Sequence, residues 1–160
     1  PAWYDILGMD FDTRVDEPGL LRSVEQVTAL LERERERGIP SERLVLAGFS
    51  QGGAIALYLG LRHPTQLAGI MALSTYLACD GELEAQRTES GARTPVFQAH
   101  GTQDPMVPQA LGQAARERLL GLGQPLEWHA YPMGHEVCAE ELAAEGTWLR
   151  GVLGMGPGVQ

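Results

Sequence analysis

Residues 43–62 read RLVLAGFSQGGAIALYLGLR and contain the strongest structural signal of the chain. Residues 43–47 form a short apolar run, which is typical of a strand that is buried on both faces. Residues 51–62 are small and aliphatic and end before His63-Pro64, a pair that stops helices. The sequence therefore predicts a buried strand joined directly to a helix, with Ser50 in the turn between them.

The rest of the chain repeats this alternation of strand and helix patterns. Further strands are predicted at residues 67–74, 95–99 and 126–131, and further helices at residues 16–37, 108–122 and 138–152. Residues 80–93 are polar and contain two glycines, which predicts a loop. Alternating strands and helices build a parallel sheet with helices on both faces, so we expect one α/β domain over residues 1–160.

Composition excludes several classes of partner. The net charge of the 160 residues is −9, and no cluster of Lys and Arg could follow a phosphate backbone, which argues against nucleic acid. No apolar run is long enough to cross a bilayer, which argues against an integral membrane protein. The two cysteines, Cys79 and Cys138, lie far apart and outside any C-x-x-C or zinc spacing. Reduced thiols in the cytoplasm are the simplest interpretation, and a single disulfide is the alternative.

The five residues around Ser50 indicate nucleophilic chemistry. Gly48-Phe49-Ser50-Gln51-Gly52 matches the pattern G-x-S-x-G between a strand and a helix, where a sharp turn pushes the serine hydroxyl over the end of the sheet. The turn also aims the backbone N–H of Gln51, at the positive end of the helix, at an oxyanion formed beside Ser50. The alternative is a glycine-rich turn with an incidental serine, which the strand before it and the helix after it disfavour.

A serine nucleophile needs an adjacent base, and four histidines could serve: His63, His100, His129 and His135. We expect His63 at the surface or capping a helix, and His129 on a face of the sheet. The other two follow predicted strands and so lie at the carboxyl edge of the sheet, where catalytic groups gather. His135 is preferred because it lies in a loop between strand and helix, from which its ring can reach Ser50.

Asp104, in the turn after His100, can accept a proton from an imidazole nitrogen and so orient the base. The chain order Ser50, Asp104, His135 is the order that α/β-hydrolases use. Alone, Asp104 could be a turn-forming residue before Pro105 and His135 a helix-start residue. Together, three residues at three strand ends favour a catalytic triad. A metal site is rejected because His135 and Cys138 are only two ligands and no third stands out.

Several motifs together are similar to one family. They are residues 48–54, 67–69, 72–74, 100–108 and 131–137 (GFSQGGA, LAG, ALS, HGTQDPMVP and YPMGHEV), with weaker matches at 3–5 and 38–40. The chain resembles the phospholipase/carboxylesterase family over almost its whole length. That family includes acyl-protein thioesterases and small bacterial carboxylesterases, and residues 131–137 look closer to the bacterial branch.

The resemblance implies an α/β-hydrolase fold and a triad of Ser50, Asp104 and His135, with Gln51 donating one oxyanion N–H. It implies cleavage of short- to medium-chain carboxylic esters, and in some members of lysophospholipids or protein-linked acyl thioesters, without a cofactor or metal. The expected partner is thus a small-molecule acyl ester or thioester.

Two further positions follow from the same resemblance. Tyr76 and Met106 fall where the family lines its acyl pocket, and core packing is the alternative for both.

The sequence departs from the family at its start. Family members carry several strands and a helix before the region that Pro1 opens, with a loop that supplies the second oxyanion donor. We therefore expect these N-terminal strands to be absent from the chain, which would leave the strand ending at Ala47 as an exposed apolar edge. The missing part would come from a second chain or another copy, or lie outside this sequence. Two other functions stay open: a fragment or pseudoenzyme that binds acyl chains or a partner, and a peptidase on the same scaffold.

Overall fold

The computed structural model describes residues 17–154 and contains a four-stranded parallel sheet. The strands are β1 (Val45–Phe49), β2 (Gly69–Leu73), β3 (Val96–Gly101) and β4 (Leu126–Tyr131). Each strand pairs with the next one along the chain, in the order β1-β2-β3-β4. The carboxyl ends of all four strands therefore lie along one edge of the sheet, as the alternation of patterns predicted. Relative to the prediction, β1 begins two residues later and β4 has the same bounds.

Helices connect the strands. They are α1 (Glu17–Glu36), α2 (Gln51–Arg62), α3 (Leu83–Gln86), α4 (Glu89–Arg93), α5 (Gln109–Gly121) and α6 (Ala139–Val152), with short 3₁₀ turns at Ser41–Arg43 and Asp80–Glu82. The predicted cap at Asp16 and the family match at residues 3–5 lie outside the described residues. No helix among residues 17–154 is long and apolar enough to cross a membrane.

The prediction of a loop at residues 80–93 is wrong, because this segment contains α3 and α4. Leu83 is fully buried and anchors α3 to the core. Thr88 caps α4 by accepting a hydrogen bond from the N–H of Gly91 at 2.8 Å, and its own hydroxyl donates to the carbonyl of His63 at 2.6 Å. Helices this short do not repeat an apolar residue often enough for the period to be visible in sequence.

The core lies on both faces of the sheet because successive strand residues point to opposite sides. On one face, Ile70 and Val96 pack with residues of α1, α2 and α5. On the other face, Met71 and Phe97 pack with Trp148 of α6. Helices therefore cover both faces, as an α/β-hydrolase fold requires, and β2 and β3 are buried along their whole length.

Strand β1 forms one edge of the sheet within the described residues, where it pairs with β2 alone. Ala47 is exposed, and Phe49 retains 38% of its accessible surface. An apolar groove of about 330 Å³ runs beside this edge and is lined by Val27, Leu46, Ala47, Gly48, Phe49, Gly52, Ile55 and Ala56. Its lining includes Phe49 and Gly52, which precede and follow Ser50 in the chain.

Candidate active site

Ser50 sits in the tight turn between β1 and α2 with backbone angles φ 56° and ψ −121°. A positive φ at a residue with a side chain costs on the order of 1–3 kcal/mol, so the surrounding structure has to hold it. The N–H of Ser50 donates to the carbonyl of Leu73 at 2.8 Å, and the hydroxyl of Thr75 donates to the carbonyl of Ser50. Only glycine fits position 48, because a Cβ there would lie 2.1 Å from the carbonyl carbon of Gly52.

Asp104 and His135 come from loops at the ends of neighbouring strands, β3 and β4, and are hydrogen-bonded to each other. Oδ2 of Asp104 lies 2.7 Å from Nδ1 of His135. Oδ1 accepts the backbone N–H groups of Met106 and Val107, both at 2.9 Å. The hydrogen bonds of this buried carboxyl group are thus directed at the imidazole and at its own loop.

The charge state of Asp104 follows from these contacts. Burial raises the pKa of its carboxyl group, but hydrogen bonds from His135, Val107 and Met106 lower it by more, so the net pKa lies below its usual value of 3.8. Asp104 is therefore ionised at neutral pH. Because a carboxylate only accepts, Nδ1 of His135 carries the proton of this bond, and Nε2 is the nitrogen that can accept a proton in the neutral ring.

The imidazole of His135 lies beside the turn that holds Ser50. Its ring centroid is 4.6 Å from that of Phe49, the residue directly before Ser50, and the two rings are tilted by 44°. The structure therefore brings Asp104, His135 and the serine turn to the same edge of the sheet. A hydrogen bond from Oγ of Ser50 to Nε2 of His135 remains a prediction.

The predicted oxyanion and pocket residues lie in different environments. Gln51 is the first residue of α2, so its backbone N–H is in the first turn, at the positive end of the helix. Met106 is 65% exposed in the loop beside Asp104. Tyr76 is only 2% exposed and belongs to a buried cluster that includes Leu20, Ile55 and Val107. Substrate contact stays a prediction for Tyr76 and Met106, and the burial of Tyr76 is also what core packing would give.

The other three histidines have hydrogen-bond partners outside the proposed triad. His100 is 1% exposed, and its Nε2 lies 2.8 Å from the carbonyl oxygen of Val107. Of the two predicted positions for His63, the surface or a helix cap, the structure has the cap: His63 ends α2 and is buried. His129 lies on a face of β4, as predicted, with Nε2 2.7 Å from Glu127.

Among residues 17–154 no group of three or more His, Cys, Asp and Glu side chains could hold a metal ion. Cys79 and Cys138 are both free thiols.

Sequence reasoning missed two residues that hold the site together, Phe49 and Thr75. Phe49 occupies a variable position of the G-x-S-x-G pattern, so the pattern says nothing about its contact with His135. Thr75 follows β2, the strand beside β1, and its position at that strand end was a signal that could have flagged it.

The comparison with known proteins identifies the family. A sequence model of the family described as Phospholipase/Carboxylesterase matches residues 1–152. The chain belongs to the phospholipase/carboxylesterase family. The resemblance that the motifs indicated is thereby confirmed.

Individual relatives agree with this assignment. Acyl-protein thioesterase 1 of Mycosarcoma maydis is 40% identical over 96% of this chain and 70% of its own length, and that of Neurospora crassa is 42% identical over 90% and 62%. The crystal structure of Arabidopsis thaliana SOBER1 superposes with a TM-score of 0.87 at 33% identity, over 95% of this chain and 74% of that one. The chain thus spans about two thirds of the length of the curated relatives it matches and has an α/β-hydrolase fold.

Proposed function

We propose that this member of the phospholipase/carboxylesterase family is a serine hydrolase that cleaves carboxylic esters or thioesters with Ser50, His135 and Asp104. One observation carries the proposal. The buried, ionised Asp104 binds Nδ1 of an imidazole that packs against Phe49, the residue next to a strained serine turn. A base oriented by a carboxylate beside a serine is the arrangement that acyl transfer needs.

The reaction proceeds in two steps. In the first, Oγ of Ser50 attacks the carbonyl carbon of the substrate while Nε2 of His135 takes the hydroxyl proton. The alcohol or thiol leaves with that proton, and an acyl-enzyme remains. In the second, His135 takes a proton from water, and the water oxygen attacks the acyl carbon. The bond between that carbon and Oγ of Ser50 then breaks, His135 returns the proton to Oγ, and the acid is released. The carboxylate of Asp104 stabilises the imidazolium in both steps without taking the proton itself.

The backbone N–H of Gln51 is assigned as one donor to the oxyanion. The second donor is assigned to a second chain that covers the edge of β1. The exposed Ala47 and Phe49 and the apolar groove beside them support such a cover. Losing one donor typically lowers the rate about a hundred- to a thousandfold. Native mass spectrometry alongside an esterase assay tests this: a lone 17.3 kDa species with full activity would contradict it.

The surroundings of the site support an acyl group as the part of the substrate that binds. Exposed apolar side chains lie within two residues of each proposed catalytic residue: Phe49, Met106 and Val137. Acyl chains of esters and of protein-linked thioesters are the ligands assigned to this surface, with Met106 in contact. Tyr76, which is buried in a cluster with Val107, is assigned to the wall of the acyl pocket. The names of the relatives, acyl-protein thioesterases, favour the same class.

Pre-steady-state hydrolysis of a p-nitrophenyl ester tests the proposal. The wild-type protein is expected to release a burst of p-nitrophenol as Ser50 is acylated, and Ser50→Ala is expected to lose that burst. Ser90→Ala is the matched control, because Ser90 lies away from the site and donates to the carbonyl of Pro64. A burst that survives in Ser50→Ala would rule out Ser50 as the nucleophile. A wild-type protein with neither burst nor turnover would instead favour the pseudoenzyme.

A further inference from the structure

A second histidine lies close to the proposed triad without being part of it. His100 is the penultimate residue of β3 and its ring is almost fully buried. Nε2 is 2.8 Å from the carbonyl oxygen of Val107. A carbonyl oxygen can only accept, so Nε2 carries a proton and donates it.

Val107 links this histidine to the proposed catalytic acid. Its carbonyl oxygen accepts from His100, while its N–H donates to Oδ1 of Asp104 at 2.9 Å. Nε2 of His100 is 3.7 Å from Oδ2 of Asp104, which is too long for a direct hydrogen bond. His100 therefore reaches the carboxylate through the backbone of Val107 and closes a ring of contacts around residues 100–107.

Packing fixes the orientation of the His100 ring. Gly112 of α5 lies so close that a Cβ there would be 2.4 Å from Nδ1 of His100, so only glycine fits. Trp128 of β4 stacks on the ring with centroids 6.5 Å apart and planes 21° apart. Because neighbouring strands and helices confine the ring, its Nε2–H has a defined direction, and that direction is the carbonyl of Val107.

We propose that His100 is a positioning residue of the esterase site. It holds residues 104–107 in the conformation that presents Oδ2 of Asp104 to Nδ1 of His135. It does not touch substrate, because its side chain is buried. This inference rests on the proposed function, since it gives His100 a role only through Asp104 and His135.

Loss of the His100 donor leaves the buried carbonyl of Val107 without its partner and frees the loop to relax. The N–H of Val107 then moves relative to Oδ1, and the carboxylate turns away from the imidazole. A shift of about 1 Å at a catalytic group can lower the rate about a hundredfold. No group that contacts substrate is removed, although Met106 lies in the same loop, so the loss in kcat is expected to exceed any change in KM.

Two substitutions distinguish the effect of losing the hydrogen-bond donor from the effect of losing the imidazole ring. His100→Gln places an amide nitrogen near the position of Nε2 and keeps the donor, whereas the shorter amide of His100→Asn reaches only the position of Nδ1. With concentrations set by burst amplitude, His100→Asn is expected to lower kcat about 10- to 100-fold with KM within about twofold. His100→Gln is expected to restore kcat to within a few-fold of wild type.

A spectroscopic readout reports the Asp104–His135 bond without turnover. The proton of a short charge-assisted hydrogen bond gives a downfield ¹H NMR signal. That signal is expected to persist in His100→Gln and to weaken or vanish in His100→Asn. If His100→Asn fails to fold, Gly112→Ala replaces it, because the added Cβ displaces the same ring and predicts the same losses.

Asp104→Asn, measured in parallel, distinguishes failure of the proposed function from failure of the role given to His100. Full activity in Asp104→Asn would defeat the proposed function itself. Loss in Asp104→Asn together with wild-type kcat and an unchanged NMR signal in His100→Asn would overturn only the role of His100. Equal losses in the Gln and Asn variants would also overturn it, because the donor would then not be what matters.

Discussion

Replacing Asp104 by asparagine changes one atom at the centre of the site and keeps its shape. Oδ1 already accepts the N–H groups of Met106 and Val107, so the amide oxygen of the asparagine takes that place. The amide nitrogen then occupies the position of Oδ2, which is 2.7 Å from Nδ1 of His135. The amide N–H of the asparagine then faces the Nδ1–H of His135, and two donors cannot hydrogen-bond to each other. The neutral imidazole can accept from the amide only in the tautomer that carries its proton on Nε2.

The size of the effect follows from that tautomer. With the proton on Nε2, His135 cannot accept the hydroxyl proton of Ser50. In a serine protease the same exchange lowers kcat about 10⁴-fold. Each factor of ten in rate corresponds to about 1.4 kcal/mol, so the barrier should rise by about 5.5 kcal/mol. KM should change little, because Asp104 is buried behind His135.

The assay is steady-state hydrolysis of a p-nitrophenyl ester by wild type, Asp104→Asn and Asp80→Asn. Asp80 is the matched control because it undergoes the same chemical change at an exposed ion pair with Arg118. Wild-type kinetics are expected in Asp80→Asn. A kcat within tenfold of wild type in Asp104→Asn, or a loss confined to KM, would refute the reasoning.

Two further predictions concern the serine turn and a buried acid. Thr75→Val keeps the side-chain volume nearly constant but removes the hydroxyl that donates to the carbonyl of Ser50. The free energy of unfolding, measured in urea, should fall by about 1–2 kcal/mol, and kcat should fall as well. Unchanged kcat and stability would contradict the role given to Thr75. Burial, and to a lesser extent the charge of Glu145, raise the pKa of Glu141 from 4.5 to about 7. Between pH 4.5 and pH 7 the folded protein therefore binds more protons than the unfolded chain, and its stability falls as the pH rises through this range. Glu141→Gln should therefore match wild type near pH 4.5 and exceed it at pH 8 by up to about 3 kcal/mol, whereas the exposed Glu140→Gln should show no such divergence.

The parts of the fold that could be predicted are those with strong local signals. The apolar run before Ser50 and the small residues after it define β1 and α2, and the bounds of α2 and β4 match the prediction. The strand ends then place residues 104 and 135 at one edge, because parallel strands share their carboxyl edge. The hydrogen bond between Asp104 and His135 is the geometric consequence of that placement.

The remaining features depend on tertiary contacts that leave no local pattern. Helices α3 and α4 are held by Leu83 and by the cap at Thr88, and neither produces a helical repeat. Glu141 is fully buried on α6, although a glutamate in a polar turn of a helix is expected at the surface. Only the packing of α6 against the sheet puts Glu141 inside, and only the neighbouring loops bring Phe49 against His135.

The central claim is that Ser50 is a nucleophile activated by His135. Time-resolved labelling with a fluorophosphonate, followed by peptide mass mapping, tests it most directly. One adduct per chain should form, on the peptide that carries Ser50. It should be absent from Ser50→Ala and form far more slowly in His135→Ala. An adduct on another residue, or an equal labelling rate in His135→Ala, would contradict the account.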